Sequence, residues 1–249
     1  RLTDYFEAGK PFRAKLEKEA DVVLIRQDPP YHMMYLTTTW MLETLRKPKV
    51  LNRPRALRDN PEKLFPLQFA QFCPPTLISM DREKLSAFQR EVGAVVIKPL
   101  YGHGGHGVLK IPASGENLEA LLEFVLERSS EPIIMQQFLP YVEQEEKRIL
   151  LINGEFAGAF GRIPADQEIR SNMRVGGVPV PTVLTPRQHD ICKAIGPICR
   201  KEGLMLVGID VIGDFLTEIN ITSPTGLRAV EDLYGENPAA KFWDAIENS

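Results

Sequence analysis

The sequence has few cysteines, and they are not spaced as in a metal or redox site. Among its 249 residues only Cys73, Cys192 and Cys199 are cysteines, and no two of them form a C-x-x-C pair. The last two fall on one face of a predicted helix. A cysteine in this setting is usually a small buried side chain. We therefore expect three reduced thiols.

Long apolar runs and an excess of basic residues are also absent. No stretch approaches the roughly 20 apolar residues that cross a bilayer, and the charged start, RLTDYFEAGKPFRAKLEKEA, lacks the apolar region of a signal peptide. The formal net charge of −3 argues against nucleic-acid binding, which normally requires a basic face. We therefore expect a cytoplasmic protein that binds neither membranes nor nucleic acid.

Capping signals and hydrophobic spacing predict several helices. In SGENLEALLEFVLERS, leucine and valine recur at the spacing of an amphipathic helix. In TPRQHDICKAIGPICRKEG, Thr185 and Gln188 form a capping box, and Gly203 is the stop signal. Shorter helices are expected at DREKLSAFQREVG, which Asp81 caps, and at NPEKLFPLQF, with Asn60 as the N-cap.

Short apolar or alternating runs predict strands, many of them joined by turns rather than helices. The turn Asn153-Gly154, between RILLI and EFAGAF, is a strong hairpin signal. The second half is therefore expected to form antiparallel sheets with helices packed against them, in two subdomains that meet near QQFLP. The predicted strands are DVVLIR, KVLN, AVVIKP, GVLKI, PIIMQQFL, KRILLI, EFAGAFGRI, LMLVGIDVI and FLTEINI.

A glycine-rich stretch, VVIKPLYGHGGHGVLKI, is compatible at first with several phosphate or metal sites. Gly102, Gly104 and Gly107 satisfy the dinucleotide pattern G-x-G-x-x-G, but that site requires a helix after the loop. The run VLKIP that follows is typical of a strand, which argues against a dinucleotide site. A Walker A motif is excluded because Lys98 precedes the glycines instead of following them.

The same stretch is better explained as a hairpin that covers a phosphate. Glycines allow main-chain N–H groups to approach an anion, and Lys98 supplies positive charge beside them. A hairpin tip without a ligand is the alternative. A metal site is disfavoured because His103 and His106 have no Cys, Asp or Glu nearby to complete it.

A second group of polar residues lies in GIDVIGDFLTEINITSPTG. Glu218 and Asn220 are two apart on a predicted strand, so their side chains share a face and offer the oxygen ligands that Mg²⁺ prefers. Asp210 stands opposite Glu218 only if residues 213–215 form a three-residue turn, since a two-residue turn places them on opposite faces. A metal site therefore predicts the longer turn, and an exposed polar strand is the alternative.

These features together resemble the ATP-grasp carboxylate-amine ligases and, within them, the prokaryotic glutathione synthetase family. The resemblance implies an α/β (α+β) architecture, an ATP-grasp fold of two α+β lobes with antiparallel sheets, preceded by a truncated parallel-sheet domain. The late first strand, and a start without methionine, lead us to expect a further segment before Arg1. The resemblance rests on LIRQDPPYHMMYLTTTWMLE, NPEKLF, VVIKPLYGHGGHGV, EKRILLINGE, RSNMRVGG and GIDVIGDFLTEINITSPTG.

Within this framework we expect three regions. Residues 1–59 would be the remnant of an N-terminal substrate-binding domain, and residues 60–137 the small lobe with the phosphate loop. Residues 138–249 would be the C-terminal lobe, with the Mg²⁺ site and a flexible lid at 163–181.

The resemblance also implies a nucleotide and metal site between the lobes. Two Mg²⁺ ions, which Mn²⁺ could replace, would be held by Asp210, Glu218 and Asn220 and would bridge the ATP phosphates. The implied ATP contacts are Lys63 and Lys98 at the phosphates, Gly102, Gly104 and Gly105 in the loop above them, Gln136, Gln137, Phe138 and Leu139 at adenine, and Glu146 at the ribose.

The implied reaction joins γ-glutamylcysteine to glycine through an acyl phosphate and gives glutathione, ADP and phosphate. It needs no protein nucleophile but needs positive charge where oxyanion charge develops, which we assign to Mg²⁺, Arg148 and Arg162. Strict hairpin pairing would place the two arginines on opposite faces, so a bulge near Gly158 or Gly161 is required if both act. A surface ion pair is the alternative for either arginine.

The lid would keep water from the acyl phosphate. Arg170 and Arg174 would reach the substrate from it, with Gly176 and Gly177 at its end and Ser223 as a further substrate contact. A passive loop is the alternative.

Other functions stay open from the residues alone. They are a different ATP-grasp ligase, a non-catalytic ATP-binding module, and a nicotinamide dehydrogenase, which would need a helix directly after Gly107. The family commonly forms tetramers or dimers, so a homo-oligomer is expected.

Overall fold

The computed structural model describes residues 9–10, 13–102, 104, 106–165 and 176–249. Its helices are α1 (Leu16–Glu19), α2 (Met33–Glu43), α3 (Pro54–Asp59), α4 (Arg82–Val92), α5 (Leu118–Arg128), α6 (Pro186–Glu202), α7 (Leu227–Tyr234) and α8 (Pro238–Glu247), with 3-10 helices at Phe65–Phe72 and Pro140–Glu143. Its strands are β1 (Val22–Leu24), β2 (Lys49–Leu51), β3 (Thr76–Ser79), β4 (Val95–Pro99), β5 (Leu109–Ile111), β6 (Ile133–Gln137), β7 (Glu146–Ile152), β8 (Glu155–Ile163), β9 (Val178–Val180), β10 (Leu206–Ile212) and β11 (Phe215–Asn220). Across these ranges, no helix combines the length and apolarity needed to cross a bilayer.

The N-terminal part contains a parallel pair of strands. β1 and β2 run side by side with Val23 opposite Val50, and α2 lies between them in the chain. Parallel strands need such a crossover, because the chain must return to the same end of the sheet before the second strand begins. The parallel sheet that was expected before the two lobes is therefore confirmed.

A four-stranded antiparallel sheet follows, in the order β3-β6-β4-β5. Because side chains alternate along a strand, its two faces differ in character. Val95, Ile97 and Met135 belong to an apolar cluster with α4 and α5. The opposite face carries the polar side chains of Lys98 and Gln136 and is directed toward the rest of the molecule.

The second large sheet is antiparallel as well and is buried on both faces. Its order is β11-β10-β7-β8-β9. Alternate residues of β7 point to opposite sides: Ile149 packs in a cluster with α6, and Leu150 packs in a cluster with α7 and α8. Covering both faces explains why residues 149–152 of β7 form a continuous apolar run and why β10 is mostly apolar.

The turn at Asn153-Gly154 and the capping signals of α6 are confirmed. Asn153 (φ +48°) and Gly154 (φ +72°) form the predicted hairpin turn between β7 and β8. Helix α6 begins with the capping box of Thr185 and Gln188 and ends at Gly203, which is left-handed with φ +71°. Local hydrogen bonds thus determine both ends of this helix.

The prediction for NPEKLFPLQF is wrong at its start. Asn60 does not cap a following helix but ends α3, where its Nδ2 and main-chain N–H both donate to the Ala56 carbonyl. The following Phe65–Phe72 segment is a 3-10 helix, interrupted at Phe69 by a non-helical φ of −122° and ψ of 42°. Asparagine is favoured at both ends of helices. Because α3 was not predicted, Asn60 was assigned to the start of the following helix instead of the end of α3.

The three cysteines are free thiols, as expected. Cys192 and Cys199 lie on α6 within an apolar cluster, and burial raises the pKa of each to about 12. Cys73 is only partly enclosed, although burial raises its pKa to about 11. All three thiols are therefore protonated at neutral pH, which makes them poor nucleophiles.

Candidate active site

The polar face of the four-stranded sheet meets β11 and the first 3-10 helix across a narrow cleft. The two large sheets contribute side chains to its walls, so residues that are far apart in the chain become neighbours there. Its lining consists of Lys63, Pro66, Leu67, Cys73, Thr76, Lys98, Ile134, Gln136 and Thr217.

A chain of polar contacts crosses this face of the sheet. Lys98 Nζ donates to Gln136 Oε1 at 3.0 Å, and Gln136 Nε2 donates to Thr76 Oγ1 at 2.9 Å. Burial lowers the pKa of Lys98, whereas the carboxylates of Glu218 and Glu146 raise it. A lysine that is shielded from water in this way interacts strongly with an incoming anion.

The glycine-rich loop joins β4 to β5, which pair as antiparallel strands. A strand therefore follows the loop, as predicted, where a dinucleotide site would require a helix. Gly104 (φ +62°) and Gly107 (φ +72°) adopt left-handed conformations that favour glycine. Gly105 and His103 lie outside the described residues.

Lys63 connects this loop to the strand that carries the predicted metal ligands. Its Nζ donates to the carbonyl oxygen of Gly102 and lies 3.5 Å from Glu218 Oε1. The two predicted phosphate contacts, Lys63 and Lys98, thus lie at the same cleft.

Asp210 and Glu218 face each other, but not through the predicted turn. A two-residue turn, Gly213-Asp214, joins β10 to β11, so the predicted three-residue turn at 213–215 is wrong. Thr217 is instead an extra residue in β11, a bulge that shifts the register by one and leaves Asp210 paired with Glu218. The expected pairing is confirmed, and the bulge is its cause.

A second bulge brings Arg148 and Arg162 to the same face of the sheet. The register of β7 and β8 shifts at Ala157, so that Leu150 pairs with Gly158. A Cβ at Gly158 would lie 2.8 Å from a Val230 methyl carbon, and its φ is +155°, so glycine is required here. The sequence-based expectation of a bulge near Gly158 is confirmed.

Asp210 lies at the centre of a buried cluster of charges. Its Oδ1 accepts from Arg148 Nε at 2.5 Å and lies 2.8 Å from Arg162 Nη2. Its Oδ2 accepts from Arg148 Nη2 at 2.9 Å and from Asn220 Nδ2 at 3.0 Å. Glu146 Oε2 lies 2.9 Å from Arg162 Nη2 and extends the cluster.

Burial and the arginines act against each other on the carboxylates of this cluster. Burial alone would raise the pKa of Asp210, but Arg148 and Arg162 outweigh it and lower the pKa to about 2. For Glu146 burial is the larger effect and raises the pKa to about 7, although Arg162 opposes it. Asp210 is therefore ionised at neutral pH, whereas Glu146 titrates near neutrality.

The donor set is suited to Mg²⁺ that is also bound by a nucleotide. Among the residues with described positions, no three His, Cys, Asp or Glu side chains form a complete metal site. Asp210, Glu218 and Asn220 supply two carboxylates and an amide, all hard oxygen donors, and Mg²⁺ would complete its six ligands with phosphate and water oxygens. Asp210 already accepts from three side chains, so it would exchange one of these contacts for the ion.

The predicted adenine-binding segment leads from β6 toward the second large sheet. The main-chain N–H groups of Gln137 and Phe138 donate to carbonyl oxygens at 2.9 and 2.8 Å. Lys110 Nζ lies 3.7 Å from the ring centre of Phe138, and Leu139 is buried. The main chain here is held by hydrogen bonds, and the aromatic ring that follows β6 packs against Lys110.

The remaining predicted substrate contacts are only partly described. Ser223 is partly buried in the segment after β11, and Gly176 (exposed) and Gly177 (buried) lie just before β9. Arg170 and Arg174 lie outside the described residues, as does the middle of the predicted lid.

Three polar residues around the cleft carry no signal that was recognised in the sequence. Thr76 lies on β3, a short strand after two prolines that was not predicted. Lys110 shares the cleft face because it pairs with Val96, and the register of the β4–β5 hairpin could have revealed it. Glu62, next to Lys63, contacts the end of β11. No local sequence pattern predicts a contact between segments so far apart in the chain.

Comparisons with known proteins agree with this geometry. Residues 62–235 match the family model for the prokaryotic glutathione synthetase ATP-grasp domain, and residues 1–58 match the model for its N-terminal domain. The chain belongs to the prokaryotic glutathione synthetase family. The glutathione synthetases of Rhodopseudomonas palustris and Bradyrhizobium diazoefficiens are 48% and 49% identical to it over 245 residues, which span 98% of this chain and 78% of each relative.

The structural neighbours of this glutathione synthetase family member support the fold. The crystal structure of a D-cycloserine synthetase aligns with a TM-score of 0.72 and 15% identity, covering 92% of this chain and 84% of that chain. At this identity the likeness concerns the fold alone. The predicted ATP-grasp fold, with antiparallel sheets and a parallel pair of strands, is confirmed.

Proposed function

We propose that the chain is an ATP-dependent carboxylate-amine ligase that joins γ-glutamylcysteine to glycine and releases glutathione, ADP and phosphate. The observation that carries the proposal is the meeting of Lys63, Lys98 and Glu218 at one cleft, in a chain that shares 48% identity with a curated glutathione synthetase. Glutathione synthetases of the ATP-grasp family use ATP and Mg²⁺.

The reaction begins with a carboxylate, which is a poor electrophile, so the γ-phosphate of ATP must first be transferred to it. Lys63 and Lys98 bind and orient the phosphate groups, because both side chains lie at the cleft and carry charge that is partly shielded from water. Glu218, Asn220 and Asp210 would hold Mg²⁺, which when bound would supply further charge neutralisation at the phosphates.

Arg148 and Arg162 stabilise the negative charge that develops when the glycine amine attacks the acyl phosphate. Asp210 holds both guanidinium groups, which fixes their orientation before the reaction begins. Within the described part of the chain, Arg162 Nε is buried and has no hydrogen-bond partner. Buried donors are almost always satisfied, so this atom is a suitable donor for a bound oxyanion.

The family resemblance and the sequence support further features. We propose the region boundaries 1–59, 60–137 and 138–249, adenine contacts at Gln136 to Leu139 and a ribose contact at Glu146. We also propose two Mg²⁺ ions, which Mn²⁺ could replace, a homo-oligomer, a cytoplasmic location and a lid at 163–181 that excludes water.

Coupled measurement of ADP release tests the function. We expect ADP to form with γ-glutamylcysteine and glycine together, to fall to a low rate when either is omitted, and to match the amount of glutathione found by mass spectrometry. ADP release with a different pair of amino acids, and none with this pair, would favour another ATP-grasp ligase. Binding of Mg²⁺-ATP without turnover of any pair would favour a non-catalytic module.

A further inference from the structure

One carboxylate oxygen beside the cleft accepts three hydrogen bonds from the end of β11. Glu62 Oε1 accepts from the main-chain N–H groups of Ile221 and Thr222 at 2.8 and 2.9 Å, and from Thr222 Oγ1 at 2.8 Å. The main-chain carbonyl of Glu62 also accepts from Ile219 N–H at 3.3 Å. Residue 62 therefore holds the chain on both sides of Asn220.

The next residue in the chain is Lys63, which reaches the side chain of Glu218 on the same strand. Its Nζ lies 3.5 Å from Glu218 Oε1 and donates to the Gly102 carbonyl. One short segment thus fixes the end of β11 through Glu62 and contacts a phosphate-binding loop through Lys63. The distance between this lysine and the oxygen ligands on β11 depends on the contacts of Glu62.

Other residues keep the end of β11 attached to the protein if Glu62 is changed. Asn52 Nδ2 donates to the carbonyl oxygens of Leu206 and Ile221, both at 2.8 Å. Arg26 Nη2 donates to the Pro224 carbonyl at 2.9 Å. Loss of the Glu62 side chain should therefore loosen residues 219–222 without unfolding the strand.

Small displacements matter at such a site. The groups of a binding site must be held within about 0.5 Å of the productive geometry. Removal of the Glu62 carboxylate leaves two main-chain N–H donors and one hydroxyl without their acceptor. The strand between Glu218 and Thr222 would then shift relative to Lys63.

We propose that Glu62 is a positioning residue that fixes Lys63 against Glu218 and Asn220 and so sets the geometry in which the ATP phosphates and Mg²⁺ bind. This inference rests on the proposed function. All three side-chain hydrogen bonds end on one oxygen, so the required property is a fixed acceptor rather than a negative charge. The amide oxygen of glutamine can supply the same acceptor.

Two variants at this position separate the acceptor from the charge. We expect Glu62→Ala to raise the KM for ATP and lower kcat, with a fall in kcat/KM of about 10-fold to 100-fold. Glu62→Gln should recover most of this loss. In the ligand-free protein, hydrogen exchange of the Ile221 and Thr222 amides should be faster in Glu62→Ala than in Glu62→Gln, and Mg²⁺-ADP affinity measured by calorimetry should follow the same order.

Glu116→Ala, at an exposed carboxylate before α5, is the matched control and should leave all of these quantities unchanged. Unaltered exchange and unaltered kcat/KM in Glu62→Ala would overturn the proposal, and so would a Glu62→Gln variant as impaired as Glu62→Ala. If the unmodified protein releases no ADP with the two substrates, the proposed function fails. Amide exchange and Mg²⁺-ADP affinity would still decide the role of Glu62.

Discussion

Asp210 and Glu218 face each other on neighbouring strands, yet their environments are opposite. The Asp210 side chain is 5% exposed and contacts Arg148, Arg162 and Asn220. The Glu218 side chain is 26% exposed and forms an ion pair with Lys63 at 3.5 Å. One carboxylate is enclosed by groups that neutralise it, and the other is partly exposed beside Lys63, which lines the cleft.

Because of this difference, we expect the two carboxylates to have different roles. A carboxylate that holds two buried guanidinium groups keeps them oriented, and its loss leaves them unpaired. A partly exposed carboxylate with a long ion pair contributes less to stability than a buried one but can bind an incoming cation. Asp210 should therefore support both fold and catalysis, and Glu218 mainly catalysis.

The largest expected effect is that of Asp210→Asn. The substitution removes the charge that compensates Arg148 and Arg162, and breaking a buried pair of this kind costs about 3–5 kcal/mol. We expect the free energy of unfolding to fall by about this amount and ADP release to fall below detection. Urea denaturation and the coupled ADP assay measure the two quantities. A variant of unchanged stability would contradict the anchoring role of Asp210.

Glu218→Gln should remove activity while leaving the fold intact. The neutral amide is a weaker ligand for Mg²⁺, and losing several kcal/mol of charge stabilisation corresponds to a fall of at least about 100-fold in rate. Glu218 is partly exposed and holds no buried guanidinium group, so the free energy of unfolding should fall by less than in Asp210→Asn.

Initial rates of ADP release at increasing Mg²⁺ and thermal melting curves are the measurements for this variant. Glu116→Gln is the control, because it makes the same chemical change at an exposed site. If Glu218→Gln destabilises the protein as much as Asp210→Asn, the two carboxylates do not differ as their environments indicate.

The sequence predicted the parts of the fold that depend on neighbouring residues. The capping box of Thr185 and Gln188 and the turn at Asn153-Gly154 are formed by residues close together in the chain, and both are confirmed. Alternation along a strand also predicted that Glu218 and Asn220 share a face, whereas the pairing of Asp210 with Glu218 was expected from a turn that the structure does not contain.

The pairing register of neighbouring strands was harder to predict. One additional residue in a strand moves every side chain beyond it to the opposite face of the sheet. The bulge beside Gly158 could be inferred, since two arginines had to share a face and a glycine was available. The bulge at Thr217 was missed because a longer turn would have produced the same pairing of Asp210 with Glu218. Contacts such as those of Glu62 with Thr222 join distant segments and leave no local pattern.

The smallest expected effect concerns the bulge itself and is tested by Thr217→Val. Thr217 Oγ1 donates to the Asp210 carbonyl at 3.1 Å, and the loss of one such hydrogen bond should cost about 1 kcal/mol. Valine is also β-branched and fits a strand, and the extra residue in β11 remains, so Asp210 and Glu218 should still face each other. We therefore expect a small fall in the urea midpoint and a rate of ADP release close to that of the unmodified protein. A loss of activity as large as that of Glu218→Gln would show that the hydroxyl, and not the register of β11, is what the site requires from Thr217.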